Sequence, residues 1–464
     1  MHNTRLTPRP LVIAAVAVAL LAFAVTLLIP ASFPDQVALL TMPVTVVAAL
    51  WLVPLSLALV RGERWAFVLA LALLIFVTDA SFRTRVWDDK SLDWQVMLKG
   101  LVWAGAGAIG LARLNRSAAL LATPPGMFMV AFIGLMTLSS FWSPVPWYTL
   151  QSSIAYLWLL LFGLAAAQVL DEDDLLLALA IGCGLVVLPS LMVAPFGAGI
   201  TPPSPGSTGE PHRLRGITDH PIPLAEEAAL FTFAATMLLT RAKSGSRRLL
   251  LCLLVGAGIF TVLLTRSRIP PLAMAIAAAV FLTYRKGGWL LLTITALAAG
   301  IVLLLADALM GVGGLIPDDL LRLMSRSHRS GEVLSLSGRL AIWPYVLDRI
   351  AEAPLFGHGH AAGVSLFEGF RRWHVTHAHN AYLQTVLYLG LAGLALLAGV
   401  LATQIRTWAR DPRPVRDILV LYMLLKGATE QSFLANMPSG AVALWMVTLG
   451  MAAVAWGKRT QRSR

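Results

Sequence analysis

The chain has 464 residues, 58% of them hydrophobic and 13% charged, with a mean hydropathy of +0.75. No water-soluble core needs that much apolar material, so the composition excludes an ordinary globular enzyme and points to a polytopic membrane protein. The formal net charge of +12 does not indicate nucleic acid, because the basic residues fall in short clusters between apolar stretches.

A helix needs about 20 apolar residues to cross a bilayer. Windows of that kind fall at 11–29, 37–60, 65–77, 98–112, 127–141, 152–170, 175–194, 224–239, 249–264, 270–284, 289–305, 381–403, 418–433 and 440–456. Several are short, so the sequence predicts an all-α polytopic membrane protein with about 12–14 transmembrane helices. The positive clusters occupy alternate loops: Arg61 and Arg64; Arg113 and Arg116; Arg241, Lys243, Arg247 and Arg248; Arg285 and Lys286; Arg406, Arg410, Arg413 and Arg416; Lys458, Arg459, Arg462 and Arg464. The positive-inside rule puts these loops and both termini in the cytoplasm, which requires an even number of spans. The acidic run Asp171, Glu172, Asp173 and Asp174 falls on the same side, against the trend.

Arg5 and Arg9 before the window 11–29 resemble a secretory signal, but the run is long enough to span and is expected to be an uncleaved first helix. Cys183 and Cys252 each sit inside an apolar window, which is no pattern for a disulfide framework. No internal repeat with a period of about 20–50 residues is evident.

Alternation leaves two extracytoplasmic loops that matter. The segment 195–223 is rich in Pro, Gly, Ser and Thr at its start and then carries His212, Arg213, Arg215, Asp219 and His220. The segment 306–379 is a long polar insertion, and loops of that length are usually functional or disordered. Ile342, Trp343, Val346, Leu347 and Ile350 have helical spacing, so an amphipathic helix at the outer membrane boundary is expected there. Ser337 is a candidate cap region, Pro344 would sit near its first turn or kink it, and Pro354 with Gly357 would end it. The resulting division is a transmembrane bundle at 1–305 with its arginine loop at 195–223, a large loop at 306–379, and C-terminal helices with a basic tail at 380–464.

Chemistry concentrates on that one side. Arg213 and Arg215 lie in HRLRGITDHP, Arg266 and Arg268 in LLTRSRIPP ahead of Pro270 and Pro271, and Arg339 heads the amphipathic segment. Arginine at a helix end can snorkel or hold a lipid phosphate. It can also grip phosphate oxygens in bidentate fashion, and arginines from separate loops would suit a lipid-borne pyrophosphate and its leaving-group charge. Lysine is absent from these loops, which favours geometry over charge alone.

The stretch WHVTHAHNAYLQTVLYLGLAG places His374, His377 and His379 just before Asn380 and an apolar helix pattern. With an unperturbed pKa of about 6.5, histidine can act as a base at neutral pH, and His379 is the better placed for proton transfer. Asn380 is a natural N-cap for a helix beginning at Ala381. The sequence HxH occurs at His358–His360 and again at His377–His379; zinc would accept such pairs, yet no cysteine or carboxylate stands at a standard ligand spacing. The run from Gly357 to Gly363 has no strand before it, so a nucleotide site there is not expected. Lys426 and Glu430, four residues apart in an otherwise apolar window, could pair on one helix face in a structural or acceptor-side role. In a lipid-linked sugar transporter they would instead be central.

At these residues the chain resembles the O-antigen ligase and polymerase superfamily, and specifically the lipopolysaccharide O-antigen ligases (WaaL). The family's histidine, then Asn, Ser or Gln, then nine residues and Gly-x-x-Gly is matched by His379, Asn380, Gly390 and Gly393. Its R…W…PLFGxG segment is matched by Arg339, Trp343, Pro354, Leu355, Phe356, Gly357 and Gly359. SSFWSPVP, from Ser139 to Pro146, together with Arg213–Gly216 and Ser267–Arg268, adds shorter likenesses.

The resemblance implies a GT-C-like, metal- and nucleotide-independent inverting glycosyltransferase without cofactors. It would act at the periplasmic face of a bacterial inner membrane, moving O-antigen from undecaprenyl pyrophosphate to lipid A-core. By the same resemblance His379 would be the general base. Arg215 and Arg268 would hold the pyrophosphate, with Arg213, Arg266 and Arg339 as further partners and His377, Asn380 and Trp343 in support. His377 leaves a swap of roles with His379 open. A polymerase or protein O-oligosaccharyltransferase would share these motifs. No nucleic-acid partner is expected.

Overall fold

The computed structural model describes residues 55, 57–81, 94–197, 199–201, 212–285, 339–370 and 375–462. The described chain is helical throughout, with one two-stranded hairpin. Its helices are α1 (Arg64–Asp79), α2 (Trp94–Ala112), α3 (Leu114–Leu121), α4 (Pro124–Leu138), α5 (Pro146–Ala166), α6 (Glu172–Val193), α7 (Pro221–Thr240), α8 (Gly245–Thr265), α9 (Ile269–Arg285), α10 (Arg339–Glu352), α11 (Gly363–Leu366), α12 (Ala381–Arg410), α13 (Pro414–Gly427) and α14 (Gly440–Arg462). Strands β1 (Ile200–Thr201) and β2 (Arg213–Leu214) pair antiparallel in the loop between α6 and α7.

Among the described residues, eight helices are long and apolar enough to cross a membrane, which makes this a multi-pass helical membrane protein. They correspond to the windows at 98–112, 127–141, 152–170, 175–194, 224–239, 249–264, 381–403 and 440–456. The windows 65–77 and 270–284 form the shorter helices α1 and α9. The windows 11–29 and 289–305, and most of 37–60, lie outside the described residues. The window 418–433 is corrected: α13 stops at Gly427, and residues 428–439 form an irregular connection to α14. Apolarity alone carried the predicted span too far, because the aromatic and aliphatic residues at 433–434 are buried within that loop.

α5 packs against α2 and α14, α6 lies between α1 and α7, α8 covers α7, and α12 crosses α4. Phe67 with Phe162, and Phe433 with Trp445, place aromatic rings in contact at 6.0 and 5.1 Å between centroids. Helix starts follow the local sequence. Pro124, Pro146, Pro221 and Pro414 open α4, α5, α7 and α13, where the missing N–H has no helical partner to lose. Asp171 caps α6 through the N–H groups of Asp173 and Asp174, and Asp174 closes the reciprocal half of the capping box.

The acidic run that ran against the basic trend also acquires a reason. Asp171 and Asp174 pair with Arg64, Asp173 pairs with Arg241, and Glu172 accepts hydrogen bonds from the N–H groups of Val415 and Arg416 at the head of α13. Its charges are matched to arginines of two neighbouring loops and to one helix N-terminus.

Candidate active site

The predicted amphipathic helix is present as α10, with Pro344 inside it and its end ahead of Pro354. Ile342 and Val346 are buried while Leu347 is exposed. Trp343 donates from its indole N–H to the carbonyl of Ala378 at 3.2 Å, tying α10 to the histidine loop. Arg339 is the first residue of α10; its side chain, like His374, lies outside the described part.

The Pro354–Gly359 segment that follows α10 docks into a break in α12. Gly390 adopts φ 63° and ψ −163° inside that helix, which a side chain would strain. The break frees helical donors and acceptors, and the docked segment satisfies them. His358 and Gly359 donate to the carbonyls of Leu387 and Tyr388 at 3.0 and 2.9 Å, while Leu391 and Ala392 donate to Pro354 and Leu355 at 2.9 and 3.1 Å. A Cβ on Gly390 would sit 2.2 Å from the Leu355 carbonyl carbon, and one on Gly357 would sit 2.4 Å from that of Tyr388. The two glycine motifs, about thirty residues apart in the sequence, are halves of one joint.

The turn after Gly359 is anchored against α4 and α5. His360 is fully buried; its Nε2 meets Ser152 Oγ at 2.8 Å, its N–H donates to Ser139 Oγ at 2.9 Å, and its carbonyl accepts from Thr149 Oγ1 at 2.6 Å. Burial pushes its imidazole down to about 3, so it is neutral. His358 Nε2 turns elsewhere, to the carbonyl of Arg349 at 2.7 Å. The first HxH pair therefore shares no ligand position, and the SSFWSPVP likeness marks its anchoring wall.

The second HxH pair is arranged differently. Asn380 accepts from the N–H groups of Tyr382 and Leu383 at 3.0 and 2.9 Å, capping α12 as predicted, and donates to the carbonyl of Ala428 at 2.9 Å. His379 precedes it in the left-handed region at φ 48°, a conformation that costs a branched or bulky residue about 1–3 kcal/mol and clusters at functional sites. Its side chain keeps 23% exposure, and its Nδ1 lies 3.1 Å from Oε2 of Glu430, whose side chain is 7% exposed. The His377 ring lies 4.0 Å away, centroid to centroid.

Glu430 belongs to the irregular α13–α14 connection, which forms the second wall of the site. Gln384 accepts from the Ala378 N–H and donates to the Leu434 carbonyl, both at 3.1 Å, and Asn436 donates to the Thr376 carbonyl at 3.0 Å. Lys426 and Glu430 do not pair across one face: Lys426 pairs with Glu226 of α7, and Glu430 meets His379. The sequence reading singled out both residues but missed this wall, because it extended the helix through it.

His377, His379 and Glu430 each offer one donor atom, and these atoms lie within 4.8 Å of one another. Among the described residues this is the donor set that could hold a metal ion, and its carboxylate comes from a distant part of the sequence, where spacing could not reveal it.

The arginine loops meet at Arg213. It donates through Nε to the carbonyl of Thr265 at 3.0 Å and through Nη2 to Ser267 Oγ at 2.7 Å, bracing the α6–α7 loop against the α8–α9 turn. Arg215 donates to the Thr218 carbonyl at 3.1 Å. Arg266 caps α8 at φ 50° and, like Arg268, is exposed on that turn. His220, the N-cap of α7, lies within electrostatic reach of Arg213, Asp219, Glu430 and His379. The structure thus brings Arg213, Arg215, Arg266 and Arg268 onto adjoining turns, with His220 within electrostatic reach of both Arg213 and His379.

Residues 228–398, from α7 through the Gly390 break, match the family described as "O-Antigen ligase". That stretch of the chain is similar to this family. The chain is also 28% identical over 299 residues to "Exopolysaccharide production protein ExoQ" of Rhizobium meliloti (strain 1021), covering 60% of this chain and 64% of that relative. The chain thus spans under two thirds of that relative's length. The superfamily match takes in the α8–α9 arginine turn, His379 and Gly390, while Arg213, Arg215 and Glu430 fall outside it.

Proposed function

We propose that this chain is a member of the O-antigen ligase superfamily, an inverting glycosyltransferase that ligates O-antigen from undecaprenyl pyrophosphate onto lipid A-core at the periplasmic face of the inner membrane. The observation that carries the reading is His379: an imidazole 23% exposed in a left-handed turn, with Nδ1 held by a buried carboxylate and no hydrogen bond from Nε2 to any described residue. In the transfer the acceptor hydroxyl proton passes to His379. The acceptor oxygen forms its bond to the anomeric carbon, and the bond to the pyrophosphate oxygen breaks with its electron pair staying on the pyrophosphate. Arg215 and Arg268 bind that leaving group, with Arg266 and Arg339 as further contacts, while Arg213 braces the two turns that carry them. A donor already activated as a pyrophosphate needs no ATP, and arginine hydrogen bonds can stabilise the departing charge.

A second reading has an observation of its own. The similarity to an exopolysaccharide production protein favours a polymerase, in which the acceptor hydroxyl belongs to a second lipid-linked saccharide. The test is the purified full chain in liposomes with undecaprenyl-pyrophosphate-linked O-antigen, offered lipid A-core in one arm and no acceptor in the other. Ligation predicts glycosylated lipid A-core only in the first arm. Lengthened lipid-linked chains in both arms, with unmodified lipid A-core, would replace ligation by polymerisation.

A further inference from the structure

Pro221 and Pro223 fill the first and third positions of α7 and have no N–H to offer. The N–H of Ile222, between them, donates to Nδ1 of the N-cap His220 at 3.3 Å. The positive end of the helix dipole therefore faces the site with no backbone donor left on the first three residues of α7. What stands in front of it is the imidazole. A ring whose Nδ1 accepts a hydrogen bond is neutral and carries its proton on Nε2. His220 is exposed, and its Nε2 makes no hydrogen bond to any described residue, so this one N–H is open to a ligand.

The mount of the ring joins both arginine loops. Thr218 Oγ1 shares its proton between the carbonyls of Arg215 and His220, at 2.7 and 2.8 Å, and Arg215 Nη1 donates back to the Thr218 carbonyl at 3.1 Å. On the other side Ser267 Oγ accepts from Arg213 at 2.7 Å and donates to the Pro221 carbonyl at 3.4 Å. The residue after His220 is thereby tied to the α8–α9 turn that carries Arg266 and Arg268. The same ring lies within electrostatic reach of His379. A helix dipole, a lone N–H and the arginines of two turns thus meet next to the base.

We propose that His220 is a neutral hydrogen-bond donor, through Nε2–H, to the pyrophosphate of the lipid-linked donor, alongside Arg215 and Arg268. This rests on the donor being a lipid-borne pyrophosphate, as proposed above. Neutrality has a use here: a second imidazolium beside His379 would oppose the proton that the base must take up, whereas a neutral N–H grips the phosphate oxygen without that penalty.

The test separates the two ring nitrogens. Asparagine places its amide where Nδ1 stands and keeps the cap, while glutamine reaches to the place of Nε2 and keeps a donor there. Equilibrium binding of undecaprenyl pyrophosphate, without saccharide, to the detergent-solubilised full chain is measured beside thermal unfolding. His220→Asn is expected to weaken binding about tenfold at an unchanged unfolding midpoint. His220→Gln is expected to bind within about threefold of the unchanged chain, with a lowered midpoint. Wild-type binding by His220→Asn reduces the residue to a helix cap and overturns the proposal, as does a His220→Gln chain that binds no better than His220→Asn. If the unchanged chain does not bind undecaprenyl pyrophosphate, the proposal falls together with the pyrophosphate reading. Equal binding by the unchanged chain and His220→Asn removes the role of His220 alone.

Discussion

The chain spells HxH twice within about twenty residues, and the two copies have opposite fates. His358 and His360 are pinned to different walls, one to the end of α10 and the other beneath Ser152 on α5, and His360 is buried, neutral and closed to solvent. His377 and His379 lie side by side at a half-open lip, one of them bonded to a buried carboxylate. Burial without charge makes a histidine a packing piece, whereas partial exposure with an oriented partner is what a proton-carrying histidine needs. The spacing is identical; the depth of the docking site differs.

The largest expected contrast is kinetic. His379→Asn, chosen because asparagine tolerates the left-handed conformation at φ 48°, should lower transfer by about 1,000-fold while leaving folding intact. Lipopolysaccharide ladders from a ligase-null strain carrying the variant would read this directly. A normal ladder would show that the lip is no more catalytic than the buried pair.

The joint that supports both pairs should break next. Gly390→Ala places a Cβ 2.2 Å from the Leu355 backbone at a positive φ, which is expected to cost roughly 3 kcal/mol. Thermal unfolding of the detergent-solubilised chain measures it. An unchanged midpoint would mean that the Pro354–Gly359 segment can leave the α12 break without loss.

The buried pair should declare itself through pH rather than rate. His360 is near 6.5 when unfolded and about 3 when folded, so the unfolded chain binds the extra proton between those values. Stability from this group is complete above about pH 6.5 and is lost as pH falls toward 3, with about 2 kcal/mol lost by pH 5. His360→Gln removes that titration, so its unfolding midpoint should fall less between pH 7.5 and pH 5 than that of the unchanged chain. Parallel falls would place the acid sensitivity elsewhere.

Much of this was legible in the sequence, for particular reasons. The spans followed from apolar length, α10 from helical spacing, the Asn380 cap from residue type, and the prominence of His379 from its place before an apolar helix. The end of α13 was not legible, because Phe433 and Leu434 are as apolar as a span while lying in an irregular loop. That misreading hid the loop wall that brings Glu430 to His379. The pairing of Lys426 with Glu226 joins residues two hundred positions apart, a distance over which spacing carries no information. The brace made by Arg213 was hidden for the same reason, since nothing local tells an arginine that binds a carbonyl from one that binds a phosphate.

The arginines offer the next sharpening. Arg215→Lys and Arg268→Lys preserve charge but not the planar fork, so bidentate binding predicts about tenfold weaker donor use for each. The measurement is kcat/KM for the lipid-linked donor. Wild-type values in both variants would reduce these side chains to snorkelling cations, and leave the lip without a pyrophosphate clamp beside it.

The smallest expected effect is the most discriminating for the lip itself. His377 stands beside His379, and with Glu430 the three could act as one donor set. If a metal ion were held there, all three ligands would matter alike, because removing one neutral imidazole from a three-ligand site opens it as effectively as removing another. If His379 is instead a base oriented by Glu430, His377 is a neighbour that shapes the lip and hydrogen-bonds locally, with its Nδ1 3.2 Å from Thr376 Oγ1. His377→Asn is then expected to change kcat by less than about threefold, and dialysis against EDTA to change nothing. Loss of activity with both His377→Asn and EDTA, restored by added zinc, would turn the second HxH pair from an acid–base device into a metal centre.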